Sequence, residues 1–164
     1  MNSSQQIQFL NNKLETPLIR YSIAKMNISK KAEYAIKAVI SIARHTNNKP
    51  LQISEISQKE SIPIKFLEQI LLNLKNNGIL NSKRGANGGY LLAKSKDDIS
   101  IGMILEIIDG PFDPVGLHSG NNLGTGLEKC FSQMIEIVNE HLNQFTIRDI
   151  LEIENSKDLL AFEI

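Results

Sequence analysis

Residues 64–94 constrain the fold more tightly than any other stretch of the chain. Ile64, Leu67, Ile70, Leu71 and Leu74 recur at helical spacing and stop at Asn77-Gly78, a pair suited to leaving a helix. Directly behind them, "ILNSKR" and "YLLAK" bracket "GANGG", so two short apolar segments flank a reversal, the pattern of a hairpin. Upstream, Ser54 is placed to cap a short helix over Glu55–Glu60, and Ser61-Ile62-Pro63 forms a turn in which Pro63 suits the first turn of the next helix. Two short helices, a tight turn and an immediate hairpin predict a mainly α winged helix-turn-helix with a small β-hairpin wing.

The flanks extend this unit on both sides. Residues 1–25 are polar, weakly periodic and interrupted by Pro17, and read as a flexible N-terminal arm. From Met26 the texture changes. Ser29 is a candidate cap, and Tyr34, Ala35, Ala38, Val39, Ile42 and Ala43 mark one buried helical face before the Asn-Asn-Lys-Pro breaker. Residues 26–97 therefore form the expected DNA-binding domain. Residues 98–164 form a connecting helix, a loop and a long C-terminal dimerisation helix. The connecting helix is capped at Asp98 or Ser100, carries Ile101, Ile104, Leu105 and Ile108 and stops at Gly110-Pro111. The long helix carries Leu127, Phe131, Met134, Ile135, Val138 and Leu142, with Phe145 closing the stripe. So long an apolar stripe exceeds what a domain this small covers, which predicts a homodimer; the rival reading folds it back on its own domain. "TIRDIL" reads as a short element after it.

Charge adds a direction to the architecture. The chain is formally neutral, yet residues 1–96 hold 15 Lys/Arg and 5 Asp/Glu, while residues 97–164 hold 3 and 13. Balances of +10 and −10 in the two halves point to a polyanion-binding part joined to a part with another task. The alternative is two faces that simply pair with each other. One cysteine forbids an internal disulfide, and neither a secretory signal nor a spanning apolar run is present, which together predict a cytoplasmic protein away from membranes.

The residues that carry chemistry follow from the docking geometry. The second helix of such a motif enters the major groove nose first, so Lys65, Phe66, Glu68 and Gln69 are placed to reach DNA. Gln69 offers donor and acceptor to adenine, Glu68 accepts from cytosine, and Lys65 reaches guanine or phosphate. In the wing, Lys83 and Arg84 supply cations, Gly85, Gly88 and Gly89 allow positive φ and close approach, and Asn87 sits at the tip. Arg84 fits a narrow minor groove. Lys30, Lys31 and Tyr34 on the first helix and Tyr90 in the wing complete the expected contact set. The glycines do not follow the spacing of a nucleotide-phosphate loop, and His45, His118 and His141 are scattered without a metal or catalytic motif, so no enzyme is expected. Cys130 reads as a partly buried, inert thiol.

"MNISKKAEYAIKAVISIA", "FLEQILLNLKNNGILNSKRGANGGYLLAK" and "ISIGMILEIIDGP" together resemble the Rrf2 family of winged-helix regulators, the group that includes IscR, NsrR and CymR. The likeness runs from residue 26 to about 151. It implies a homodimer that binds an imperfect palindrome in double-stranded DNA and represses. It places Glu68 and Gln69 on the family's base-reading helix and Arg84 on its minor-groove arginine. Cluster-binding members carry three cysteines in and after the loop before the dimer helix. Here only Cys130 remains, and a histidine common three residues later is Gln133, so no iron-sulfur cluster is expected. "GPFDPVGL" is closest to the cluster-free CymR-like branch, which implies a cysteine-biosynthesis enzyme as co-regulator. Two alternatives stay open. One is a redox-sensing regulator, using an iron-sulfur cluster or the Cys130 thiol with a residue such as His118; the other is a protein-interaction module that has lost DNA reading.

Overall fold

The computed structural model describes residues 28–45, 49–85, 87–114, 116, 120 and 124–161, with side chains to residue 156; the arm at 1–25 and His118 lie outside them. Among the described residues there are six α-helices and one hairpin: α1 (Lys30–Arg44), α2 (Ile53–Glu60), α3 (Ile64–Asn76), β1 (Leu80–Lys83), β2 (Gly89–Leu92), α4 (Ile101–Asp109), α5 (Thr125–Gln144) and α6 (Ile147–Ala161).

Helix α1 is the centre of the packing because its inner face is small. Ala32, Ala35, Ala38, Val39 and Ala43 are buried with Ile42, and alanines let neighbouring backbones come close. Helices α2, α3, α4 and α6 all pack on α1. Ser29 starts it as expected, accepting from the Ala32 N–H at 3.0 Å while donating to Asp109 Oδ1 at 2.5 Å, which ties the start of α1 to the end of α4. Leu67, Ile70, Leu71, Leu74, Ile99, Ile104 and Ile147 fill the same core, each worth roughly 1.5–3 kcal/mol of burial.

Several local expectations need correction. The cap of α2 is Gln52, not Ser54; the Glu55 carboxylate accepts from the Gln52 N–H at 2.9 Å, and the helix begins at Ile53. Pro63 stands just before α3, as its N-cap. Ile64, placed on the buried stripe, is 46% exposed, because at the first position of α3 the helix has not yet turned toward the core. Between Asp98 and Ser100, Ser100 caps α4, accepting from the Met103 N–H at 3.1 Å. The "TIRDIL" element is the start of a 15-residue helix. Thr146 and Asp149 form its reciprocal cap, with the Thr146 N–H donating to Asp149 Oδ2 at 2.8 Å and the Asp149 N–H to Thr146 Oγ1 at 3.2 Å.

Helix α6 returns to the N-terminal half. Ile147 is fully buried, its N–H donating to the Ile99 carbonyl at 2.9 Å, and the core runs through position 97 without a break. Arg44 pairs with Glu154, and Arg148 pairs with Asp97. The Arg148 guanidinium, helped by the Ser95 hydroxyl, holds the Asp97 carboxyl well below the usual carboxylate range.

On α1, Glu33 lies between Lys30 and Lys37, 2.7 Å from each ammonium, and the two lower its pKa from 4.5 to about 2. A depressed carboxylate stabilises the fold above its unfolded pKa and loses that contribution as pH falls through the folded one. The urea-unfolding midpoint is therefore expected to drop between about pH 4.5 and 2 more steeply in the native chain than in Glu33→Gln, by a small amount because the pair is exposed. Equal slopes across that window would show that the ion pair contributes nothing.

Candidate nucleic-acid interface

Helix α3 divides into two faces by its own sequence. Leu67, Ile70, Leu71 and Leu74 are buried; Lys65, Phe66, Glu68, Gln69 and Leu72 are exposed. The turn that aims this helix is firmly set. Ser61 adopts φ 54, the Ile62 N–H donates to the Ser57 carbonyl at 3.0 Å, and the Ser57 hydroxyl donates to the Ile62 carbonyl at 2.6 Å. Ile62 itself is buried, anchoring the turn to the core. Pro63 then presents its carbonyl to the N–H groups of Phe66 and Leu67 at 3.0 and 3.1 Å, so the first turn of α3 starts in one direction.

The hairpin follows α3 through Asn77 and Gly78, the latter at φ 73. Its strands pair antiparallel from Leu80 opposite Leu92 to Lys83 opposite Gly89. A contact unseen in the sequence holds the wing down. Leu51, ahead of α2, pairs with Tyr90 by two backbone hydrogen bonds of 2.9 Å, so the hairpin is fastened to the helix-turn-helix as well as to α3. Tyr90 is half-buried and packs against the core.

The three wing glycines differ in their reasons. Gly85 and Gly89 have φ of 106 and 148; Gly88 does not adopt positive φ, contrary to expectation, and is buried. It must be small, because a Cβ there would stand 2.4 Å from the Lys83 carbonyl oxygen. Arg84, Gly85 and Asn87 are exposed around the tip, where Ala86 lies outside the described residues.

Electrostatics separates the cations into two groups. Lys30 is engaged by Glu33 and sits 5.2 Å from the Tyr34 ring centroid, and Tyr34 is half-buried against the core. In contrast, none of the ion pairs formed among the described residues takes Lys31, Lys65, Lys83 or Arg84. Those four exposed charges find no carboxylate among the described residues, the arrangement that favours a polyanion.

The stripe on α5 also divides. Ile135 is buried and Phe131, Val138 and Leu142 are half-buried, whereas Leu127 and Met134 are 49% and 38% exposed. Ile137, one turn beyond Met134, is 65% exposed and extends the apolar arc; sequence reasoning missed it. Phe145 lies just past the helix as its C-cap and meets the His141 ring edge to face at 5.1 Å.

Cys130 is exposed, not partly buried, because its position turns toward the Met134 and Ile137 side of α5. Thiolate-held clusters take three or four cysteines. The chain has one, and no group of three His, Cys, Asp or Glu able to hold an ion occurs among the described residues. The described residues of one chain thus offer no such ligand group. No helix among the described residues is long and apolar enough to cross a membrane.

The family model described as "Rrf2: Iron-dependent Transcriptional regulator" matches residues 28–153. The HTH-type transcriptional regulator IscR of Pectobacterium carotovorum subsp. carotovorum (strain PC1) is 29% identical over 140 residues, covering 82% of this chain and 83% of that protein. Two solved structures share the architecture. CymR, the global cysteine regulator of B. subtilis, aligns with a TM-score of 0.67 at 28% identity, over 78% of this chain and 98% of that one. T. potens IscR aligns with a TM-score of 0.67 at 25% identity, over 80% and 90%.

Proposed function

The chain belongs to the Rrf2 family of transcriptional regulators, and on that premise we propose that it is a dimeric, sequence-specific repressor that binds an imperfect palindrome without an iron-sulfur cluster. The observation that carries this reading is the exposed Lys65, Glu68 and Gln69 of α3 beside a wing whose cations have no carboxylate partner among the described residues. Gln69 reads adenine and Glu68 reads cytosine in the major groove, with Lys65 on guanine or phosphate. A carboxylate near DNA is repelled by phosphate unless it accepts a hydrogen bond, so Glu68 penalises sites lacking cytosine there. Arg84 enters the minor groove with Asn87 beside it, while Lys83 and Lys31 hold phosphates and set orientation.

Two copies joined through the exposed arc of α5 present two such units to half-sites one helical turn apart. The single cysteine supports a cluster-free regulator, and the likeness to CymR, a global cysteine regulator, supports a link to cysteine metabolism; a cysteine-biosynthesis enzyme as co-regulator in the cytoplasm belongs to the same proposal. Gel-shift titration of the anaerobically purified chain, colourless and free of iron, is expected to give a saturable complex with duplex from its own upstream region. Its affinity should fall about a thousandfold or more between 50 and 200 mM salt, as for six or more phosphate contacts. Equal affinity for random duplex, or activity found only in brown, iron-loaded protein, would refute the proposal.

A further inference from the structure

Phe66 is 59% exposed in the first turn of α3. Single exposed apolar residues are ordinary, so exposure alone decides nothing. Its surroundings decide more. The Phe66 N–H is held by the Pro63 carbonyl at 3.0 Å, which sets where the side chain leaves the helix. Leu67 and Ile70, on the inner face beside it, are already fully buried in the core. At helical spacing Phe66 is the neighbour of Gln69, three residues on, and its chain neighbour Lys65 has no carboxylate partner among the described residues. An aromatic ring is thus mounted beside the polar side chains of Lys65 and Gln69.

The major groove offers one apolar group to such a ring, the 5-methyl of thymine. We propose that Phe66 is a specificity-determining residue that reads a thymine methyl in each half-site, beside the adenine edge taken by Gln69. The inference rests on the DNA-reading role of α3. Two polar readers cannot distinguish thymine by its methyl, because the methyl neither donates nor accepts; an apolar side chain registers it through surface removed from water.

The test begins with the full-length chain selecting its tightest duplex from a random library. Each thymine of that duplex is then replaced in turn by deoxyuridine, which keeps the base pair and the O4 acceptor and removes only the methyl. At one thymine per half-site the replacement should weaken binding about fourfold, the size of burying one methyl-sized group. In Phe66→Ala the same replacement should have no further effect, while the unfolding midpoint stays unchanged because the side chain is exposed. Indifference of the native chain to every replacement overturns the inference, as does an undiminished fourfold loss in Phe66→Ala. Failure to select any duplex overturns the DNA-reading premise itself, a result distinct from either.

Discussion

Gly89→Ala is expected to destabilise the fold by about 3 kcal/mol and to release the wing. Two costs coincide at this residue. Its φ of 148 lies where only glycine is at ease, and an added Cβ would stand 2.3 Å from the Leu51 carbonyl oxygen and 2.6 Å from its carbon. The obstacle is backbone, so no rotamer change relieves it. The chain must part the Leu51–Tyr90 bridge, losing two hydrogen bonds of 2.9 Å. Because Gly89 is paired with Lys83, the displacement passes to Lys83 and Arg84, and affinity for any duplex should fall with stability. Gly85→Ala is the control: its φ is 106 but nothing lies within 4 Å of the new Cβ, so roughly 1–2 kcal/mol is expected. Urea unfolding of the two variants checks the argument, and equal losses would mean that the close approach of Leu51 does not matter.

That bridge also marks the limit of what the sequence disclosed. Features governed by neighbours within a few residues were legible: the buried face of α3, its end at Asn77 and Gly78, the "GANGG" reversal, and the Ser29 and Ser100 caps all obey local rules. Leu51 meets Tyr90 across 39 positions, and no periodicity announces such a pairing. Ile64 fits the stripe numerically yet stays exposed, because position in the helical turn and not spacing alone decides what reaches the core. Helix α6 runs well past "TIRDIL" although "EIENSK" breaks its apolar pattern; what holds it is Ile147 at one end and pairs such as Arg44 with Glu154 along its length. The site was half legible. Residue type and spacing placed Lys65, Glu68 and Gln69 on the exposed side of α3 and Lys83 and Arg84 in the wing, but not which lysines Glu33 would engage, nor that Gly88 is demanded by space.

The apolar arc of α5 leads to the other large effect. A linear stripe cannot tell which edge of a wide arc faces its own domain, and the structure separates an inner edge at Ile135 from an outer edge of Leu127, Met134 and Ile137. If the outer edge receives a second copy, Ile137→Glu should convert the protein to a monomer, since a carboxylate buried in an apolar interface has no partner there. Within one subunit the change is mild: Ile137 is 65% exposed and glutamate is a good helix former. A monomer holds only one half-site, so operator affinity should fall by about 100-fold or more, the advantage that linking two binding units supplies. Glu136→Ala, on the opposite face of α5 and exposed, should change neither mass nor affinity. Sedimentation equilibrium beside the gel shift separates the outcomes. A dimeric Ile137→Glu that still binds its operator would move the subunit contact away from this arc, whereas a monomer of unchanged affinity would show that one copy suffices to read the site.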